Sequence, residues 1–286
     1  RYVYVVIRFF ANGSPVDAGY GSTIAAAARL GLSVTWRVVA ASEVGTSHIA
    51  VGTNCQDSCF AYVEADPAKP PLLTIFVADG AGSAAHGGAG AELAIEAATT
   101  FVNEHYARTE FAFNDHWAVE CIQAVRTKIY EVADANEVKA RDYACTFLGV
   151  ISSPFETLLM QVGDGGIVVD VGNGLEVPIT PMMGEYANMT NFVTDENAID
   201  VLVVEVLSAR AERVAVFSDG IQRLALNMAT NTAYAPFFTP FFTVLATATA
   251  AQEDDLHIEL TRFLQSPAVN ERTDDDKTLA LAHWVG

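Results

Sequence analysis

LLTIFVADG, residues 72–80, is an apolar run that stops on an aspartate and a glycine. A short apolar run bounded by turn residues reads as a strand buried on both faces, which places Asp79 at its tip. The same arrangement recurs in VAVFSDG, 214–220, which ends at Asp219-Gly220. It appears in mirror order in TDDDKTLALA, 273–282, where Asp275 stands just before the run. A single Asp-Gly after a strand is ordinary turn chemistry. Three carboxylates at separate strand ends point further, because gathered carboxylates repel one another and lose hydration, and a fold that collects them places a divalent cation between them.

Working outward, valine-, leucine- and aromatic-rich runs bounded by Gly, Asp, Asn or Pro predict strands at 33–40, 58–64, 72–78, 143–151, 155–162, 166–171, 201–206, 213–217 and 278–284. The opening run YVYVVIRFF also reads as a strand, and residues 1–30 are assigned no function. Helical spacing appears at 88–106, at 115–135 through Trp117, Cys121, Ile122, Val125, Ile129 and Val132, and at 252–264 after a turn PFFTPFF. Helices do not separate the strands one by one, so hairpins around a central helix pair fit better than a βαβ sheet. The expected class is α+β, two antiparallel sheets with helices on their outer faces, in one domain spanning 1–286. The polar tract 172–200 is expected to form a surface flap.

Composition narrows the function. With 51% hydrophobic residues among 286, the chain can bury a sizeable core. Sixteen basic against 35 acidic residues give a formal charge of −19, which disfavours nucleic-acid backbones and anionic membranes as partners. No apolar run reaches the roughly 18 residues that span a bilayer. Four cysteines, at 55, 59, 121 and 145, are too few for a disulfide scaffold, so a reducing cytoplasm is the expected location. Cys55 and Cys59 lack a second pair or a nearby histidine to complete a zinc set. The glycine-rich GAGSAAHGGAG after Asp79 has the wrong spacing for G-x-G-x-x-G, and FSDGI around Ser218 lacks the nucleophile elbow.

Taken in order, TNCQDS (53–58), FVADGAGS (76–83), ACTFLGVI (144–151), QVGDGG (161–166), FSDGIQ (217–222) and RTDDDKT (272–278) resemble the protein phosphatase 2C-like (PP2C-like) metal-dependent serine/threonine phosphatases. The likeness is to the bacterial branch with Cys-Gln-Asp in its first motif, and it covers roughly residues 42–285. It implies a four-layer αββα sandwich and hydrolysis of phosphoserine or phosphothreonine in a protein substrate. It also implies two Mn²⁺ or Mg²⁺ ions, with a third possible. Asp79 would bridge the ions, the Gly80 carbonyl would be a further ligand, and Asp219 and Asp275 would complete the first ion. Asp275 is chosen because it stands three residues before Thr278, as in the family's Asp-Asn-x-Thr pattern. Asp57 would hold the second ion or its waters, and Asp164 would join a third site. A hydroxide bridging the ions would attack phosphorus without a covalent enzyme intermediate.

The chain departs from the family pattern in three places. Gln56 supplies a neutral oxygen where eukaryotic members have glutamate. Gly52 and Thr53 occupy the place of an arginine, which leaves His48 as the nearest candidate for phosphate contact. Ala81 replaces a histidine proton donor, and His86 nearby reads as helix-start packing or solvent exposure. These losses motivate two alternatives: a pseudophosphatase acting as a regulatory binding module, and a phosphatase of a small phosphorylated metabolite. The sequence leaves the oligomeric state open.

Overall fold

Alternation inside the apolar runs sorts their side chains onto two faces, and both faces are buried. This is seen in a computed structural model that describes residues 36–64, 66, 68–108, 112–180 and 190–285. The opening YVYVVIRFF run and the rest of residues 1–30 therefore lie outside the described residues. In chain order the elements begin β1 (Trp36–Glu43), α1 (Thr46–Val51), β2 (Asp57–Glu64), β3 (Leu72–Asp79), α2 (Gly87–Tyr106) and α3 (Asp115–Ala135). They continue β4 (Phe147–Ser152), β5 (Thr157–Val162), β6 (Gly166–Asp170), β7 (Val203–Leu207), β8 (Arg213–Phe217) and α4 (Asp219–Ala225). The last are β9 (Leu226–Asn227), β10 (Thr232–Ala233), α5 (Ala235–Thr247), α6 (Glu253–Leu264), α7 (Pro267–Asn270) and β11 (Lys277–Trp284).

All pairings are antiparallel. One sheet runs β2-β3-β4-β5-β7 and the other β1-β11-β8-β6. Along β3, Leu73, Ile75 and Val77 meet Ile167, Val169, Val214 and Val216 of the opposite sheet. The alternate residues Leu72, Phe76 and Ala78 lie under α2 and α3 with Trp117, Ile122 and Ile129. On the far side, Phe217 and Leu279 pack under α5 and α6 through Phe238, Leu245, Leu260 and Leu264. Three apolar layers thus join four structural ones, the αββα sandwich the motifs implied, and burying both faces of each sheet explains why the strands read as unbroken apolar runs.

Several sequence expectations shift. PFFTPFF is the start of helix α5, not a turn: Pro236 lies in its first turn and Pro240 inside it. Pro240 forfeits one backbone bond, while Phe238 and Phe242 bury against the sheet and Phe237 and Phe241 pack on Phe263. The strand expected from 143 starts at Phe147, because Ala140–Tyr143 form a 3₁₀ turn. Of the tract 172–200, the far end is held to α3: Arg126 donates to the carbonyls of Val193 and Asp195, and Tyr130 donates to that of Thr194 at 3.0 Å. Among the described residues no helix is long and apolar enough to cross a membrane.

Candidate metal centre

Register brings the carboxylates together. Asp57, the first residue of β2, pairs directly with Asp79, the last residue of β3. In the other sheet, Phe217 at the end of β8 pairs with Leu279, so Ser218 and Asp219 lie beside the segment from Asp275 to Thr278 that leads into β11. The two sheets are then joined through Asp57. Its Oδ2 accepts from the hydroxyls of Ser218 and Thr278, both at 2.7 Å, which fixes the carboxylate and leaves Oδ1 buried with no hydrogen-bond partner. The Oδ1 of Asp219 and the Oε1 of Gln56 are likewise buried and unpartnered.

Two glycines make the crowding possible. A Cβ on Gly220 would lie 2.0 Å from the Asp276 carbonyl oxygen, so only glycine lets α4 press its first turn against the aspartate segment. Gly165, at φ +106, turns the loop that carries Asp164 and faces the Phe217 carbonyl, where a side chain would clash. Asp164 accepts from the Thr190 hydroxyl at 2.7 Å and adds its charge to the fields at Asp79 and Asp219.

Burial and mutual repulsion raise three acids. Desolvation first, and then the Asp276 charge, push Asp57 up to about 7 against the lowering effect of its two hydroxyl donors. Burial and then Asp57, Asp219, Asp275 and Asp164 hold Asp79 well above the usual carboxylate range. Burial, Asp164 and Asp275 push Asp219 to about 6. A carboxylate that holds its proton more tightly folded than unfolded favours the fold at low pH. That contribution is lost as pH rises from the ordinary value of 3.8 to the folded value, so without a counter-charge the cost to folding builds from about pH 4 and is complete above about pH 6 to 7.

The structure therefore brings together Asp57, Asp79, Asp219, Asp275 and Asp164 in one electrostatic cluster. His48 lies apart from these in its contacts: its Nδ1 is 2.9 Å from Asp276 Oδ1, off the line a hydrogen bond needs, with its side chain 19% exposed. Gly80 donates its amide to the Gln56 carbonyl at 3.1 Å, and a Cβ there would meet the Gly87 backbone at 2.3 Å. His86 stacks on Tyr143, the packing role expected of it.

Two residues escaped the sequence reading. Asp276 is buried and accepts the Gly45 and Gln56 amides, both at 2.6 Å, so it ties the start of α1 and the residue before Asp57 to the β11 edge. Lys277 is buried and donates to the Val44 carbonyl at 3.0 Å and to Asn270 at 2.8 Å. Three consecutive aspartates were the available signal, since one of them had to face inward.

The donors fit a hard divalent cation. They are oxygens only, several are buried without partners, and their charges repel. Among the described residues no three His, Cys, Asp or Glu side chains close into a ready cage. A hard divalent cation bound through one or two carboxylates and keeping much of its water needs no such cage.

Stacked antiparallel sheets sheathed by helices are also the fold of solved serine/threonine phosphatases. The chain is similar to the catalytic domain of the serine/threonine protein phosphatase PstP in complex with two manganese ions (TM-score 0.56, 18% identity, 88% of this chain and 99% of that one). It is similar to the same degree to the S. agalactiae serine/threonine phosphatase (TM-score 0.56, 18% identity, 87% and 99%). Those likenesses establish the fold. A family model described as protein phosphatase 2C matches residues 44–265. Serine/threonine-protein phosphatase 3 of Escherichia coli (strain K12) is 54% identical over 252 residues, which cover 88% of this chain and 100% of that protein. The chain belongs to the protein phosphatase 2C family.

Proposed function

We propose that this chain is a metal-dependent protein serine/threonine phosphatase, in which Asp57, Asp79, Asp219 and Asp275, with the Gly80 carbonyl, hold two Mn²⁺ or Mg²⁺ ions, and Asp164 is available to a third. The observation that carries the reading is the set of buried carboxylate oxygens left without partners at the ends of both sheets. When bound, such ions supply Lewis acidity at the phosphoryl oxygens and make water a better nucleophile near neutral pH.

The protein's own part is positioning. Ser218 and Thr278 lock one oxygen of Asp57, so that the other faces the cluster. Asp276 holds α1 and Gln56 against that strand and has His48, the candidate for contact with an incoming phosphate, beside it. No cysteine takes part: all four are free thiols, and burial pushes Cys59 up to about 12. Free thiols also fit a reducing cytoplasm. A binding module without ions would keep the repulsion at Asp79 and Asp219 with nothing to offset it.

The reading is tested by phosphate release from phosphothreonine and phosphotyrosine peptides with and without Mn²⁺. Release from the phosphothreonine peptide is expected with Mn²⁺ and is lost when a chelator is added. Phosphotyrosine should be the poorer substrate. Metal-independent release, or none under any condition, contradicts the proposal.

A further inference from the structure

At the opposite end of α4 from Asp219 lies a groove of about 700 Å³, a volume in the range of ligand-binding clefts. Its floor and walls include Met228, Tyr234, Phe237 and Phe263, and Arg223 and Arg272 stand at its sides with no carboxylate among the lining residues. Tyr234 is 52% exposed. In a chain of formal charge −19, with 16 basic residues in all, two exposed guanidinium groups on one apolar groove are a local reversal of sign. Among the described residues neither has a hydrogen-bond or ion-pair partner.

One helix links the groove to the centre. α4 begins at Asp219 and touches the Asp276 backbone with Gly220, and its last turn supplies Arg223 and Leu224 to the groove. Arg272 stands three residues before Asp275. Four residues along a helix advance about 6 Å, and an extended peptide covers that distance in about two residues. A chain with its phosphorylated residue at the cluster would reach the groove with the residues about two to four positions away.

We propose that this groove binds the part of the phosphoprotein substrate flanking its phosphorylated residue, and that it selects an aromatic or large aliphatic side chain next to carboxylates. Arginine pairs with a carboxylate through two parallel donors, and the aromatic walls offer the apolar contact. The inference rests on the phosphatase reading and extends it to substrate choice.

The test is steady-state kinetics of the Mn²⁺-loaded full chain on three phosphothreonine peptides, whose flanks are acidic with a phenylalanine, neutral with alanine, or basic. p-Nitrophenyl phosphate, too small to reach the groove, is the reference. The acidic, aromatic flank is expected to raise kcat/KM about tenfold or more over the neutral one, through KM, with the gain shrinking as salt screens the charges. In the Arg223→Gln, Arg272→Gln double variant that preference should collapse towards unity relative to p-nitrophenyl phosphate. Both side chains are exposed, so the fold is expected to persist, and the melting curve checks this. Equal KM for all flanks, as when a second copy or another part of the chain covers the groove, overturns the proposal. So does a double variant that keeps the preference. If p-nitrophenyl phosphate is itself not hydrolysed with Mn²⁺, the phosphatase reading fails instead.

Discussion

Asp79→Asn and Asp219→Asn are each expected to lower Mn²⁺-stimulated hydrolysis by about a thousandfold or more, the scale of losing several kcal/mol of charge stabilisation at the reacting phosphate. The same variants should make the metal-free protein more stable at pH 8. Asp219 is pushed to about 6 by burial and by Asp164 and Asp275, so keeping it ionised opposes folding. One unit of displacement corresponds to about 1.4 kcal/mol, and an asparagine there keeps the shape while its amide can donate to Asp79. A gain on the order of 1 to 3 kcal/mol is expected at pH 8. It should shrink as the pH falls through about 6 and be nearly gone at about 4, because the unfolded carboxyl stays ionised down to its ordinary value of 3.8 and only below that are both states protonated. Melting curves in chelator at the two pH values read the stability, and phosphopeptide turnover reads the activity. A variant that loses activity and stability together would mean that these aspartates hold the fold and not an ion.

Asp276→Ala should act in the opposite direction on stability. Its two oxygens accept the Gly45 and Gln56 amides at 2.6 Å, and both bonds are at least partly buried. Each amide left without an acceptor costs about 1–3 kcal/mol, so a loss of about 2–6 kcal/mol is expected for the two, read as a lowered urea midpoint. Because the same side chain holds α1 with His48 and the residue before Asp57, turnover should fall about tenfold or more, with a higher KM for phosphopeptide. Asp276→Asn offers one acceptor oxygen in place of two and should fall between. An alanine variant with wild-type stability would remove Asp276 from its place in this account.

How much of this was legible in the sequence depends on length and direction. The strands were readable because burial on both faces makes them continuous apolar runs, and the sheet ends were readable because aspartate and glycine close them. Helices α1, at six residues, and α4, at seven, are too short for an apolar period to show. The two prolines of α5 read as punctuation, although its phenylalanines at 237, 238, 241 and 242 carry the helical spacing that the structure uses. In the site, the segment TDDDKT hides its geometry, since spacing alone does not say which aspartate turns inward. Asp275 is exposed and lends its charge to the cluster, whereas Asp276 is buried and holds backbone. Ser218, set aside as a nucleophile, is instead a hydroxyl that fixes Asp57, a role only the pairing of the two sheets reveals.

The central claim is that the carboxylates at the ends of the two sheets exist to hold divalent cations. Calorimetric titration of Mn²⁺ into the metal-free chain tests it most directly, run at about pH 8 and again at about pH 6. The account predicts binding of at least two ions per chain. Affinity should be weaker at the lower pH, where Asp57, at about 7, and Asp79, held high by burial, must give up protons that the ions displace. Absence of binding at pH 8, or an affinity indifferent both to pH and to Asp79→Asn, would contradict it.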